Sequence, residues 1–467
     1  MLADPLARSF ADAKPVSFWL DDSARPDALP ALAAHERAGL AIVGGGFTGL
    51  WAAIEAKERD PGREVVLLEG GRVGWAASGR NGGFLSYSIT HTLENGVSRF
   101  GDEIDELERQ GMDTYHGLFD ALERYGIDAE LEPAAMVLFA RRAHVVAWFP
   151  DAVERHVRFG YPAEILDRAA AQDVLRSPVY IGALRIGGDG HALVHPAKLA
   201  WGLRDAAVRL GVRIHEGSAV RALDREDGRV RLVTRDGSVL AERVILATNA
   251  YPPLLRRIRR YVVPVYDHIL MTEPLSAEQR AAIGWAGREG LADASNRFHY
   301  FRLSADDRIL WGGYDATYHF SGDVRRRFEL DDEVHARLAG HFFETFPALE
   351  GIRFTHRWGG VIDTCSRFSV FFGTAFDGRV AYAAGYTGLG VGATRFGART
   401  ALDLVDGLDT ERTRLRMVRT RPLPFPPEPA RSLGIRRTVR AYDRLDETGR
   451  ADRWLKMLER LGRGFQS

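Results

Sequence analysis

A chain of 467 residues with 45% hydrophobic content exceeds one compact core and suggests about three domains, or two large interleaved ones. Sixty-three basic and 63 acidic residues cancel, which argues against a polyanion such as nucleic acid as the main partner. Cys365 is the sole cysteine, so an intramolecular disulfide and any multi-cysteine metal or iron–sulfur site are excluded.

The N-terminal stretch carries Asp4, Asp12, Asp21 and Asp22 without a long apolar run, unlike a signal peptide. No window reaches about 18 uninterrupted apolar residues, so no membrane span is expected, and the expected location is cytoplasmic. Residues 1–37 read as an N-terminal arm that Phe18, Trp19 and Leu20 pin to the body. Leu40 to Val43 is a short apolar run ending at Gly44-Gly45-Gly46 and predicts a buried parallel strand. Thr48 to Arg59 has helical spacing and stops at Asp60-Pro61-Gly62, and Val65 to Leu68 closes a βαβ unit. Asp102 to Tyr125 and Ala143 to His156 predict helices. Another opens at His195-Pro196 and runs to about Arg209. Strands follow at 211–215, 230–234 and 243–246, with a turn at Asp236-Gly237.

Beyond residue 260 the pattern changes to a mixed sheet with helices. Tyr261 to Met271 and Ile309 to Tyr314 read as strands, and Asp331 to Phe346 as a helix. Val380 to Ala383 then leads through a glycine-rich segment, 385–390, into a helix ending near Val405. Residues 411–467 hold five prolines, then polar amphipathic helices with 15 basic against 7 acidic residues, and read as a docked arm.

Gly44-x-Gly46-x-x-Gly49 sits between strand and helix, with Glu69 at the end of the next strand. Gly44 permits the turn, Gly46 admits a pyrophosphate to the backbone, and Gly49 lets helix and strand pack closely. The helix start offers unpaired N–H groups to phosphate oxygens, and Glu69 is placed to accept from ribose hydroxyls. An acid at this point also disfavours a 2′-phosphorylated nicotinamide cofactor. The choice between nicotinamide and flavin stays open at this stage.

Six segments in a fixed order narrow it. They are Gly44 to Leu50, Glu69 through Ser78-Gly79-Arg80-Asn81-Gly82-Gly83, Ala247 to Tyr251, Tyr300 to Leu303, Trp358 to Gly360, and Gly385 to Gly390. Together, over about residues 38–410, the chain resembles flavin-dependent amine oxidoreductases of the D-amino-acid oxidase superfamily, nearest in pattern to gamma-glutamylputrescine oxidase-like proteins. The resemblance implies an α/β fold, with a Rossmann-like FAD-binding domain interleaved with an α+β substrate domain built on a mixed sheet. The first takes residues 38–100, 185–260 and 355–410. The second takes 101–184 and 261–354, leaving 411–467 as a C-terminal helical arm.

The resemblance also implies FAD contacts at Gly44, Gly46, Phe47, Thr48, Gly49, Glu69 and Gly70, and along the loop Ser78, Gly79, Arg80, Asn81, Gly82 and Gly83. It adds Val220 near the adenine, and Gly385, Thr387, Gly388, Leu389 and Gly390 beside the flavin. Arg80 is expected on the pyrophosphate. Relatives often carry histidine where this chain has Leu389. Cys365, the only residue available for a covalent link, lies a few positions too far downstream, so FAD is expected to bind non-covalently.

Flavin amine oxidation needs an apolar pocket that excludes water and favours the unprotonated amine. Tyr251, Tyr300, Phe301, Trp358 and Tyr386 fall in segments that line such a pocket in the family. Tyr300, Arg302 and Trp358 are the expected catalytic group, with Arg302 clamping a substrate carboxylate. His268 and His299 are polar outliers in strand-like surroundings, with two readings open: facing the cavity, or, the favoured one, hydrogen-bonded in the core. His191 and His195 do not form a helical metal pair because Pro196 begins the helix after them, and no metal site is expected. Arg256 to Arg260 reads as a solvated or interdomain face. The expected substrate is a small amine or amino acid, with dioxygen, or a quinone or carrier, as electron acceptor; a flavin-binding protein without turnover is the remaining alternative. No lysine occurs from Asn249 to Leu455, where sarcosine oxidase-like relatives place one over the flavin, so slow use of oxygen is expected.

Overall fold

The computed structural model describes residues 5–460, and the expected arms are covered by it except at residues 1–4 and 461–467. The predicted apolar run becomes the strand His35–Val43, buried from Leu40 onward and paired in parallel on both sides. One neighbour is Val65–Leu68 and the other Ser238–Leu246. Arg213–His215 extends this sheet beyond Val65–Leu68. Ser238–Leu246 divides its length between two neighbours: Val230 to Val233 pair antiparallel with its first half, and Val380 to Tyr382 parallel with its second. Val/Ile/Leu-rich strands with no polar alternation suit a parallel core covered on both faces. The helices Phe47–Arg59, Pro196–Arg209 and Ala393–Val405 cover one face, and a second cluster around Leu68, Leu232 and Tyr382 fills the other.

A second sheet runs in the order 354–364, 263–272, 309–313, 299–303, 290–293, 136–140, 182–186, 163–166. Its pairings are antiparallel except between 290–293 and 136–140, so it is mixed, as expected. The helix Asp332–Thr345, capped by Asp331, packs on one face through Val334, Leu338 and Phe342, in one cluster with Trp285, Phe301 and Trp311. A small three-stranded sheet, 84–86, 191–193 and 132–133, joins the two regions.

Three expectations shift. Gly182–Ile186 and Phe354–Thr364 both belong to the mixed sheet, so the expected boundaries at 185 and 355 fall inside substrate-side strands. The stretch 143–156 breaks into Ala143–Val146 and Phe149–Arg158, because Pro150 suits a first helical turn and not a helix interior. The helix Leu93–Phe100, capped by Thr92, was not expected, since Asn95 and Gly96 blur its period. Among the described residues no helix is long and apolar enough to cross a membrane.

Candidate active site

Both sheets open onto one cavity of about 1350 Å³, beyond the roughly 300–1,000 Å³ of an ordinary small-molecule pocket and so roomy enough for a cofactor and a substrate together. At one end stands the glycine turn. Gly44 has φ +112°, and a Cβ there would lie 2.4 Å from the Ala247 carbonyl oxygen; one on Gly49 would lie 1.9 Å from the Gly44 carbonyl oxygen. Strand, turn and helix can therefore close only without side chains at these positions. Gly46, Phe47, Thr48, Gly70 and Val220 line the cavity with Gly44, whereas Gly49 serves the packing behind it. The Phe47 N–H donates to Ser78 Oγ at 3.0 Å, which leaves the rest of the helix's first turn for a ligand.

Glu69 holds this end together. It accepts from the N–H groups of Gly45 and Gly71, each at 2.6 Å, and from Trp75 Nε1 at 2.7 Å. Burial raises its pKa while these donors oppose the rise. A carboxylate offers about four lone-pair sites, so the expected ribose contact fits alongside them.

The loop 78–83 shows what the expected catalytic residues do instead. Ser17 Oγ donates to the Gly79 carbonyl, Trp358 Nε1 to that of Arg80, Trp19 Nε1 to that of Asn81, and Arg302 Nη1 to that of Gly83. These carbonyls are turned away from the cavity, and among the described residues the N–H groups of Asn81 and Gly82 have no acceptor. Arg302 is 2% exposed and does not line the cavity. Its other bonds go to the carbonyls of Val194 and Leu303, and burial lowers its pKa to about 10. The expected carboxylate clamp is thus a brace behind the loop. Trp358 is likewise buried beneath the loop with Trp19 and Leu20, and Phe301 lies in the core on the far face of the sheet. Gly79 and Gly83 are packing positions that do not line the cavity. Arg80 does line it, but its guanidinium pairs with Glu329 at 2.7 Å and donates to the carbonyls of Trp75 and Gly359 rather than standing free for a pyrophosphate. Ser78, Asn81 and Gly82 face the cavity as expected.

The late glycine segment folds around Asp363, a residue the sequence did not single out. Its carboxylate accepts from the Gly385 N–H at 2.6 Å, with the amides of Tyr386 and Thr387 also directed at it, and burial raises its pKa to about 7. Gly385 therefore lies behind the surface, and Thr387, Gly388, Leu389 and Gly390 form the lining. Cys365 has no exposed surface, stands at the cavity wall packed against Gly385, and has its single S–H within reach of the carbonyls of Ser369 at 3.2 Å and Gly385 at 3.4 Å, which suits a packed thiol.

The mixed sheet forms the floor. Tyr300 and Tyr251 face the cavity, as does Tyr386, whose Oη accepts from Thr48 Oγ1 at 2.9 Å. His268 and His299 are core residues, bonded to the Phe328 carbonyl and to Asp293 and His341. His195 Nδ1 accepts from the Lys198 N–H at the helix start. His91 was missed. It lines the cavity with φ +83°, an uncommon conformation for a side-chain-bearing residue, and burial keeps it neutral with a pKa of about 4.

The roof was also missed. The helix Ala430–Thr448 presents Arg431, Gly434, Ile435, Thr438, Val439 and Tyr442, which share one helical face, to the cavity. Asp446 fastens it by accepting from the N–H groups of Asn296 and Arg297, and Asp443 pairs with the Arg297 guanidinium. The stretch read as a docked arm thus closes the site. The amphipathic pattern of this arginine-rich helix marks a face that packs on the body but does not say that the face covers a cavity. Among the described residues no group of three or more His, Cys, Asp and Glu is arranged to hold a metal ion.

Comparison with known proteins agrees with this geometry. Residues 40–404 match the family model described as FAD dependent oxidoreductase, DAO. The chain is 30% identical over 402 residues to a probable oxidoreductase OrdL of Haemophilus influenzae, covering 84% of this chain and 88% of that one. It is 32% identical over 391 residues to gamma-glutamylputrescine oxidoreductase of Escherichia coli, covering 79% and 84%. Among solved structures, glycine oxidase from Geobacillus kaustophilus shares the fold with a TM-score of 0.66 at 21% identity, covering 80% of this chain and 96% of that one. The glycine turn, the carboxylate-braced strand end and the loop with open amides fit the flavin dinucleotide. The chain belongs to the FAD dependent oxidoreductase family, is an enzyme of that family, and binds its FAD without a covalent bond.

Proposed function

We propose that this enzyme oxidises a primary or secondary amine, or an amino acid, to an imine that water then hydrolyses. The observation that carries the reading is one cavity shared by the dinucleotide turn and a largely apolar sheet floor. When bound, FAD supplies the two-electron acceptor. The protein's part is to hold the substrate carbon over the floor and exclude water, which favours the neutral amine. The relative named for gamma-glutamylputrescine supports an amine as substrate. In this reading the cofactor contacts are Gly44, Gly46, Phe47, Thr48, Glu69, Gly70, Ser78, Asn81, Gly82, Val220 and the segment 387–390. The cofactor unit takes the parallel sheet with its helices, and the substrate unit takes the mixed sheet. A lone cysteine leaves no disulfide to call for an oxidising compartment, and a cytoplasmic location belongs to this reading.

Dioxygen is the proposed acceptor. A quinone or carrier is the second reading, favoured by the absence of lysine from 249 to 455, since a nearby cation assists electron transfer to oxygen. Arginine's wide fork does not replace a lysine at a small oxygen site. The test is an anaerobic screen in which amines and amino acids are mixed with the yellow protein and loss of flavin absorbance is recorded. Bleaching by an amine supports the proposal, and a flavin that no amine or amino acid bleaches sinks it. Rapid mixing of the reduced protein with dioxygen and with a quinone then decides the acceptor.

A further inference from the structure

The cavity floor is apolar along most of its length and breaks that pattern at one carboxylate. Val265, Asp267 and Ile269 follow one another on the cavity side of the strand Val263–Thr272. Asp267 Oδ2 accepts from Tyr300 Oη at 2.5 Å, and Oδ1 accepts from the His268 N–H at 2.9 Å. Tyr300 stands two strands away, across 309–313. Its ring reaches Asp267 because Gly312 lies beneath it: a Cβ there would fall 2.7 Å from the phenol oxygen. Three positions on three strands are therefore matched to hold one carboxylate at the cavity.

No lysine, arginine or histidine among the described residues forms an ion pair with Asp267. Its charged surroundings are Asp315, which repels it, and across Gly360 the Arg80–Glu329 pair. The cavity's other cations are engaged elsewhere. Arg297 pairs with Asp315 and Asp443, and Arg431 is held at the roof by the Pro426 carbonyl. A carboxylate set in an apolar floor without a counterion is costly unless a ligand brings the positive charge. Burial raises its pKa to about 6 while the Tyr300 hydroxyl and backbone N–H groups oppose the rise, so it is ionised at neutral pH.

We propose that Asp267, set in place by Tyr300, binds a positively charged nitrogen of the substrate. This rests on the amine-oxidation reading and narrows it to an amine that carries a second, non-reacting cationic group and no carboxylate beside the reacting carbon. A diamine meets both demands. One nitrogen remains charged on Asp267 while the other, neutral, lies over the floor for oxidation. A neutral α-amino acid meets neither and a basic one fails the second, because the arginine expected to clamp its carboxylate, Arg302, is spent behind the loop.

The test uses the FAD-loaded full chain and a pair of ligands of opposite charge that are not oxidised, n-butylguanidinium and n-butyrate, titrated by calorimetry. At pH 8 the cation should bind at least about 10-fold more tightly than the anion, and Asp267→Asn should weaken the cation by about 10- to 100-fold with FAD content unchanged. Tyr300→Phe keeps the carboxylate but removes a donor that holds its pKa down, so cation binding should be lost at a higher pH than in the parent. Tighter anion binding, or equal cation affinity in Asp267→Asn, overturns the proposal. Should Asp267→Asn fail to fold, an unchanged pH profile in Tyr300→Phe overturns it. In anaerobic reduction, 1,4-diaminobutane should bleach the flavin at lower concentration than n-butylamine or either enantiomer of alanine. Bleaching by alanine alone refutes the assignment and leaves amine oxidation standing, whereas no bleaching by any of them removes both.

Discussion

Replacing Arg302 by methionine separates a brace from a substrate clamp. The guanidinium donates to the carbonyls of Gly83, Val194 and Leu303. The Gly83 carbonyl keeps a second donor, the Val194 N–H at 2.8 Å, so Arg302→Met leaves two carbonyls short of a partner. At about 1–3 kcal/mol each, that costs about 2–6 kcal/mol. Against it stands the relief of a buried cation whose pKa is lowered from 12.5 to about 10, which corresponds to about 3 kcal/mol. The net loss of stability is then no more than about 3 kcal/mol, and the variant should fold. Its cofactor loop, however, loses a charge-assisted bond worth about 1.5–3 kcal/mol. FAD affinity should fall by about 10- to 100-fold, measured by fluorescence titration of the apoprotein. In the FAD-saturated variant the substrate concentration giving half-maximal flavin reduction should match the parent. A 10-fold rise in that concentration with FAD affinity intact would show that Arg302 touches substrate and that the brace is misread.

Denaturation should release FAD in about a one-to-one ratio and leave the chain at its unmodified mass, because the Cys365 thiol is packed against Gly385 with its S–H within reach of the Ser369 and Gly385 carbonyls; an FAD adduct on the Cys365 peptide contradicts this. Gly49→Ala should abolish FAD loading, since the new methyl would sit 1.9 Å from the Gly44 carbonyl oxygen; normal yellow colour in that variant refutes the packing argument. Glu108, buried beside Tyr161, has a pKa raised to about 7 chiefly by burial. A raised acid weakens the fold as it ionises, so the penalty is absent below about 4.5 and complete above about 7. Glu108→Gln should therefore match the parent's melting temperature at pH 4.5 and exceed it at pH 8, and a gap that does not widen with pH counts against this account.

The parallel sheet was legible because its signals are local: an apolar run, a glycine turn, a helix with a clear stop and an acid at the next strand's end. Cavity-facing assignments were less so. Residues 299–303 alternate across the sheet, which sends Tyr300 to the cavity and His299 and Phe301 to the core, and the chain alone does not say which face is wet. Arg302 shares the cavity-side parity with Tyr300, yet its length lets it turn toward the Gly83 and Val194 carbonyls. Asp267 was passed over because one acid in an apolar strand is not marked until Gly312 and Tyr300 are placed beside it. Asp363 belongs to the same class: the partners that give it meaning, the amides of 385–387, lie about twenty residues away and meet it only in the fold.

The two walls of the cavity are built under different constraints. Floor residues sit in a sheet whose register ties each of them to partners on both sides, as Asp267 is tied to Gly360 and Tyr300 to Gly312. Roof residues sit on one helix, beyond the 40–404 stretch that matches the family, clasped by polar contacts at Asn296 and Arg297. An exchange at Ile435 disturbs no strand register, whereas an exchange in the floor disturbs its neighbours as well. The cavity can therefore change shape at its roof while the register that holds Asp267 and Tyr300 in the floor stays fixed. The helix Ala430–Thr448 is the part of the cavity wall whose side chains can be exchanged without shifting a strand.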